Sequence, residues 1–483
     1  MNSDAQRSPS SGAESRAQAA RIVHLVVHHG RHLEAALAGV GAQEKAFVYD
    51  LVSATIRYHP ALDRLWAIAR SGASEEDDPR LRSLGLVGLA QILHTHIPDH
   101  AAVAATVEAS RLLGLGRAAP LLNAVLRRVT RERRDLDDRA RNDLELRYAH
   151  PAWWITRLQQ DWPDDWPRLL EAGLERAPMT LRVNIRRAHV ADCRAALEAQ
   201  GVDSRPTHRA SYGLILATPR PTASLDVYTR GWASVQDEAA QLAVPLLAPE
   251  PGNHILDACC APGNKLAQIR ETAPEHCRLV GFDISARRLE YTRRELERLG
   301  HTGVELRHAD ASQPEALPPQ EQFDRILLDT PCTASGTVRR HPDVKIHRHP
   351  EDIRARATLA FQLLENLWGH LRPGGRLLFT SCSVFREETD EVVRTFLNNH
   401  MKEGMLLDPA VPWGRHEPTG IHNLTGEEGM DGFFYAVFLK TASTDRIHNN
   451  PGGPEQGCNP HAPDRYSQDR RPQNTPDPIS HSS

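Results

Sequence analysis

Leu256-Asp257-Ala258-Cys259-Cys260-Ala261-Pro262-Gly263-Asn264-Lys265 reads as the end of a short apolar strand that turns sharply into the start of a helix. A strand feeding a helix in this way is the repeating unit of a parallel sheet, and the chain keeps that rhythm on either side. Leu279-Val280-Gly281-Phe282-Asp283, Val304-Glu305-Leu306, Arg325-Ile326-Leu327-Leu328-Asp329 and Leu377-Leu378-Phe379-Thr380 are runs of strand length separated by helical stretches, and Gly432 to Leu439 closes the series. The pattern predicts an α/β fold, a doubly wound Rossmann-like sheet over residues 236–440.

Upstream the period changes. Ile22, Val23 and Val26, then Phe47, Leu51 and Val52, then Leu86, Leu89, Ala90 and Leu93, then Leu121, Leu122 and Val125 recur at the spacing of one apolar helical face. With Pro98, Gly114 and Gly116 as punctuation, residues 16–140 are expected to form an all-α bundle. Residues 145–235 read as a small α/β subdomain, in which Trp153, Trp154, Trp162 and Trp166 crowd a helical stretch and residues 180–184 and 213–217 are strands. Residues 1–15 and 441–483 are polar, and disorder is expected for both.

A chain of 483 residues with 40% apolar side chains can bury two or three cores. The net charge of −4 excludes a globally basic nucleic-acid footprint. A local one is sought in residues 182–187 and in Arg339-Arg340-His341-Pro342-Asp343-Val344-Lys345-Ile346-His347-Arg348, each of which could equally be a solvated face. Seven cysteines without a C-x-x-C pair argue against a disulfide framework and against a zinc site, so no metal is expected, and free thiols imply a reducing compartment. No apolar run approaches the roughly 18 residues of a membrane span, and the polar start lacks a signal core. A cytoplasmic location, with no membrane partner, is the expectation.

Ligands of an open parallel sheet bind outside the carboxyl ends of its strands, where every notable residue of this chain falls. The turn Cys259, Cys260, Ala261, Pro262, Gly263, Asn264, Lys265 offers amide donors and, at Gly263, close backbone approach. Asp283 ends the next strand, where a carboxylate can accept both hydroxyls of a ribose, and Asp310, ending the third, could accept from an adenine amino group. A dinucleotide competes for such a site, but the G-x-G-x-x-G fingerprint is missing. S-adenosylmethionine, a small nucleoside with a single carboxylate, fits better. Each aspartate could instead be a helix cap or turn former.

Two strands end on cysteines, Leu328-Asp329-Thr330-Pro331-Cys332 and Phe379-Thr380-Ser381-Cys382. A pyrimidine ring carbon is too weak a nucleophile to take a methyl group until another nucleophile adds to the ring, and a thiolate does this best. A second thiol can help to undo the adduct. The bland reading of both is a buried small hydrophobe. A free thiol of pKa ~8.5 needs local activation, which the basic run after Cys332 could supply.

Asp329-Thr330-Pro331-Cys332 with Ser335-Gly336 and residues 339–343, then Thr380-Ser381-Cys382-Ser383-Val384 with Glu387-Glu388, closely resemble the RNA cytosine carbon-5 methyltransferases of the Sun family, in particular its RsmB (Fmu) type. The resemblance spans residues from about 20 to 440 and includes Ala90-x-Ile92-Leu93 and Ile97-Pro98 of a NusB-like RNA-binding bundle. It implies that Cys382 adds to carbon 6 of cytosine, that Cys332 assists elimination, and that the product is 5-methylcytosine in 16S rRNA or a small-subunit assembly intermediate. Asp329 would then contact the cofactor or the target base, and Lys265 would face the same cleft. The family's turn is Ala-Pro-Gly-Gly-Lys-Thr, whereas this chain has Asn264 and Leu266, and Ile346 stands where the family has tryptophan. If the second glycine serves close backbone approach or a positive φ, Asn is its least costly replacement. An RNA-binding assembly protein whose methyltransferase site has decayed at Asn264 is the alternative. Which cytosine is modified and the oligomeric state are not legible.

Overall fold

The structure is a computed structural model that describes residues 9–441 apart from 42–44, 71–77, 134, 136, 137, 139–141 and 401. The tail expected to be disordered lies outside these, apart from Thr441, and so do residues 1–8.

Seven helices come first: α1 Pro9–His29, α2 Leu33–Leu37, α3 Lys45–Arg57, α4 His59–Ala69, α5 Pro79–His94, α6 Asp99–Leu112 and α7 Ala119–Arg131. Helix α1 therefore takes in residues 9–15, which the composition assigned to a disordered leader. Ala13, Ala17 and Ala20 are buried at helical spacing, so this stretch docks through small side chains that carry little hydropathy. Helix α5 is buried almost all round. A Cβ on its Gly85 would stand 2.1 Å from the fully buried Trp66 of α4, so only glycine admits that indole.

Next comes an antiparallel sheet of β1 Met179–Val183, β2 Ser204–Pro206, β3 Gly213–Leu216 and β4 Ala233–Val235 in the order β2-β3-β1-β4. The helices Ala152–Asp161 and Trp166–Ala172 precede it. Their Trp154, Trp162 and Leu170 pack with Val338, Val384 and Phe385, behind the two loops that bear Cys332 and Cys382. Trp162 Nε1 donates to the carbonyl of Val384 at 2.7 Å, which fixes the loop two residues beyond Cys382.

The large sheet holds β5 His254–Asp257, β6 Arg278–Asp283, β7 Val304–His308, β8 Phe323–Asp329 and β9 Leu371–Ser381 in parallel, and then β10 Gly404–Leu407, β11 Arg415–Glu417, β12 Gly420–Asn423 and β13 Phe433–Lys440. Its order is β11-β12-β13-β9-β8-β5-β6-β7, with β10 on β13. Separate apolar layers cover its two faces, one around Leu242, Leu266 and Leu296, the other around Leu363, Trp368 and Phe396. Strands run out from β5 in both directions, so the crevice opens where β5 and β8 end side by side. The pairing of β9 with β8 sets Asp329 against Thr380 and so delivers the two cysteine loops together.

Candidate active site

A cleft of about 1440 Å³ lies above the carboxyl ends of β5 and β8. Its wall includes Asp257, Cys259, Cys260, Ala261, Pro262, Asn264, Lys265, Asp329 and Cys382, and reaches Phe47, Tyr49 and Arg57 of the helical bundle. Gly263, Asp283, Asp310 and Cys332 are not on that wall.

Gly263 precedes the helix Asn264–Thr272 with φ +105°, and a Cβ there would lie 2.8 Å from Thr292 Cγ2 of the next helix. Both the dihedral and the contact demand glycine. The left-handed residue of the turn is thus Gly263, and Asn264 has no positive φ. The expectation that asparagine there stands in for a left-handed glycine is overturned: Asn264 opens an ordinary helix, and its carbonyl accepts from Arg182 at 2.7 Å.

Lys265 Nζ reaches Asp329 Oδ2 at 2.6 Å and lies over the Phe433 ring at 4.9 Å. Thr380 Oγ1 donates to the other Asp329 oxygen at 2.9 Å. Asp283 uses its oxygens within its own neighbourhood, accepting from the amides of Ala261 at 3.2 Å and Ser285 at 2.9 Å, with Arg288 at 3.4 Å. Asp310 lies beyond the end of β7 at His308, rather than on the strand, and accepts from the Ser312 amide at 3.0 Å and hydroxyl at 2.7 Å. These bonds hold its carboxyl below the usual range, the behaviour of a turn former.

Cys332 and Cys382 meet with their sulfurs 3.4 Å apart. The Cys382 thiol, helped by Ser381 and the Ala334 amide, pulls Cys332 down to about 7 against burial and the charge of Asp329. The same contact pushes Cys382 up, burial adds to it, and Lys265 opposes both. Of the two, Cys332 is therefore the first to lose its proton. The basic run after Cys332 takes no part in this. By contrast, burial pushes the thiols of Cys259 and Cys260 far up, which leaves them inert.

Two residues escaped the sequence reading. Asp257, the last residue of β5, is buried on the cleft wall with neither carboxylate oxygen bonded, and burial, reinforced by Asp329, pushes it up to about 8. Its signal was its place at a strand end, the criterion already applied to Asp283. Glu388 accepts from the Thr333 amide at 2.7 Å, from Thr333 Oγ1 at 2.5 Å and from Ser383 Oγ at 2.5 Å, so one carboxylate ties the residue after each cysteine. It is pushed up to about 8, first by burial and then by the charge of Cys332. The sequence marked it only within the Glu387-Glu388 pair of the motif that carries the family resemblance, without a role.

Most cations of the two stretches sought as a basic footprint are turned inward. Arg182 is buried against Glu271, while Arg186, which bonds the carbonyls of Glu271 and Ala273, and Arg187 stay exposed. Arg339 and Arg340 grip Asp431, and the fully buried Lys345 donates to the carbonyls of Arg57 at 2.6 Å and Ala149 at 2.9 Å. Arg182, Arg339, Arg340 and Lys345 are thus spent inside the fold.

Residues 244–439 match the model of the 16S rRNA methyltransferase RsmB/F family, residues 150–223 that of the RsmF/B-like ferredoxin-like domain, and residues 13–131 that of the NusB family. Ribosomal RNA small subunit methyltransferase B of Vibrio cholerae is 39% identical over 430 residues, covering 88% of this chain and 97% of that protein. Its counterpart in Pseudomonas putida is 40% identical over 413 residues, covering 85% and 94%. A crystal structure of a methyltransferase homologue from Pyrococcus horikoshii superposes with a TM-score of 0.55 at 28% identity, covering 62% of this chain and 98% of that one. With three family models matched in chain order and two sulfurs meeting at the crevice of the sheet, the chain belongs to the RsmB/F family of 16S rRNA methyltransferases.

Proposed function

We propose that the protein methylates carbon 5 of one cytosine in 16S rRNA, with S-adenosylmethionine as donor and Cys382 as the covalent nucleophile. The observation that carries this reading is the Cys332–Cys382 contact at 3.4 Å beside a cleft wall that bears an unpartnered carboxylate.

The cleft suits such a cofactor. Asp257 is a buried acceptor with nothing bonded to it, a natural seat for an ammonium group, and the turn before helix Asn264–Thr272 supplies the wall. When bound, the cofactor supplies an electrophilic methyl group. Asp283 shapes the turn through the Ala261 amide, and the ribose role expected of it remains a proposal.

The chain's own part starts with a proton. Cys382 passes its proton to the Cys332 thiolate, and the charge so placed on Cys382 is steadied by Lys265. The Cys382 sulfur then bonds to carbon 6 of the ring, which makes carbon 5 nucleophilic. After methylation Cys332, having released to solvent the proton it took from Cys382, accepts the carbon-5 proton as the bond from carbon 6 to sulfur breaks and its electron pair returns to Cys382. One proton again lies over two sulfurs, as at the start. A paired base cannot reach Cys382, so the target cytosine is unpaired or flipped out.

The helical bundle contributes Phe47, Tyr49 and Arg57 to the same cleft, which supports a role in selecting the RNA. Among the described residues no helix is long and apolar enough to cross a membrane. Free thiols and a ribosomal substrate favour the cytoplasm. The alternative of a decayed assembly factor rested on Asn264 standing where a glycine would serve close backbone approach or a positive φ, and Asn264 has no positive φ.

Unmethylated 16S rRNA incubated with the protein and tritiated S-adenosylmethionine should gain label, and bisulfite sequencing should find one protected cytosine. No label on RNA from which related enzymes are absent would refute the reading.

A further inference from the structure

Two groups of histidine and carboxylate are close enough to hold a metal ion among the described residues, and they differ in kind. In the first, His422 Nε2 bonds Asp390 Oδ2 at 3.0 Å, and Thr419 and Arg386 complete the carboxylate. That group is saturated by its own hydrogen bonds.

The second group is not. His347 ends the short helix Val344–His347, and its Nε2 lies 2.9 Å from the carbonyl oxygen of Val26 in α1. A carbonyl only accepts, so Nε2 carries the proton and Nδ1 of the neutral ring presents a lone pair. That lone pair faces Asp343 Oδ2 at 3.8 Å, and His32 Nδ1, from the loop between α1 and α2, faces the same oxygen at 3.6 Å. The oxygen also accepts the Leu33 amide at 3.1 Å, which aims the carboxylate at this spot. The His347 lone pair and the Asp343 carboxylate, both acceptors, therefore converge with the His32 ring at separations too long for a hydrogen bond. Two donors on one tetrahedral zinc ion stand about 3.3–3.5 Å apart, given bonds of about 2.0–2.2 Å. The ligand atoms of all three residues lie within 4.8 Å of one another, so side-chain movement of up to roughly 1–1.5 Å, most of it available to the exposed His32, would close the set.

We propose that His32, Asp343 and His347 bind a divalent transition cation of the zinc class, with water in the remaining position. Two imidazoles and a carboxylate suit that class better than the oxygen-only preference of magnesium or calcium. The three ligands come from both sides of the junction between the helical bundle and the catalytic part, where Lys345 already bonds the Arg57 carbonyl. The ion would act as a clamp across that junction, separate from the methyl-transfer chemistry.

The test is a calorimetric titration of the full chain, free of any purification tag, with zinc chloride. Cys332 and Cys382 are replaced by serine so that the paired thiols do not compete for the metal. One saturable equivalent should bind. His32→Ala should weaken it at least tenfold; this side chain is 79% exposed, so its loss leaves the packing intact. Zinc should raise the Tm of the parent and leave that of His32→Ala unchanged. No saturable equivalent, or one that His32→Ala leaves untouched, would overturn the proposal. So would stabilisation on acidification with no zinc uptake, because a proton would then be the missing cation.

Discussion

Arg182 and Glu271 form a two-pronged ion pair, with nitrogen to oxygen at 2.9 Å on both arms and each side chain 1% exposed. Arg182 belongs to β1 of the small sheet, and Glu271 to the helix that opens at Asn264. The same guanidinium also bonds the Asn264 carbonyl, so the small sheet holds the start of the cofactor helix in place. Planar donors matched to a carboxylate give this contact its direction. Arg182→Met would leave Glu271 charged and buried, at a cost of about 3–5 kcal/mol. Denaturant unfolding should record that loss, and Arg182→Met combined with Glu271→Leu should recover most of it.

Asp257 ties stability to pH. Its folded carboxyl titrates at about 8, whereas an unfolded one titrates near ~3.9. Between these values the folded state holds the extra proton, so stability falls as pH climbs through the window. Asp257→Asn removes this term. Between pH 5 and pH 8.5 the wild type should therefore lose on the order of a few kcal/mol more stability than the variant. Glu388 titrates in the same window but is common to both proteins and cancels. Calorimetry should show weaker binding of S-adenosylmethionine to the variant at either pH.

Glu388 touches no substrate in this account; it positions the loops of both sulfurs through Thr333 and Ser383. Glu388→Ala should lower kcat by at least tenfold while KM for the cofactor stays within about twofold, since kcat follows the placement of reacting groups. Glu388→Gln, which keeps an acceptor, should restore part of the rate. An equal rise in KM would assign it to the cofactor instead.

Neighbouring positions in the cofactor turn should respond in opposite ways to the loss or gain of a side chain. Gly263→Ala forces a left-handed alanine at φ +105° against Thr292, and should cost at least about 1–2 kcal/mol and weaken cofactor binding. Asn264→Gly places glycine in a helix and should cost about 0.5–1 kcal/mol, with no gain in affinity. Thermal melts and calorimetry of both variants check the pair.

The parallel strands and the cysteine pair were legible because each is a local pattern: an apolar run of strand length ending on a polar or sulfur side chain. Strands β10, β11 and β12 were not, since they are only three or four residues long and carry little apolar alternation. The arginines of residues 182–187 and 339–348 read as candidates for RNA because their partners, Glu271, Asp237 and Asp431, lie far away in sequence. Asp310 was expected to end the third strand, whereas it lies past it in a turn whose Ser312 amide and hydroxyl bond one of its oxygens. Asp257 was passed over because nothing in a sequence marks a carboxylate that the fold buries and leaves unbonded.

The sharpest test of the covalent mechanism separates the two sulfurs. Cys332→Ala and Cys382→Ala proteins are each incubated with 16S rRNA and S-adenosylmethionine and run on a denaturing gel. The account predicts a retarded protein–RNA band with Cys332→Ala, whose elimination step is impaired, and neither band nor product with Cys382→Ala. A band that forms with Cys382→Ala and not with Cys332→Ala would contradict it.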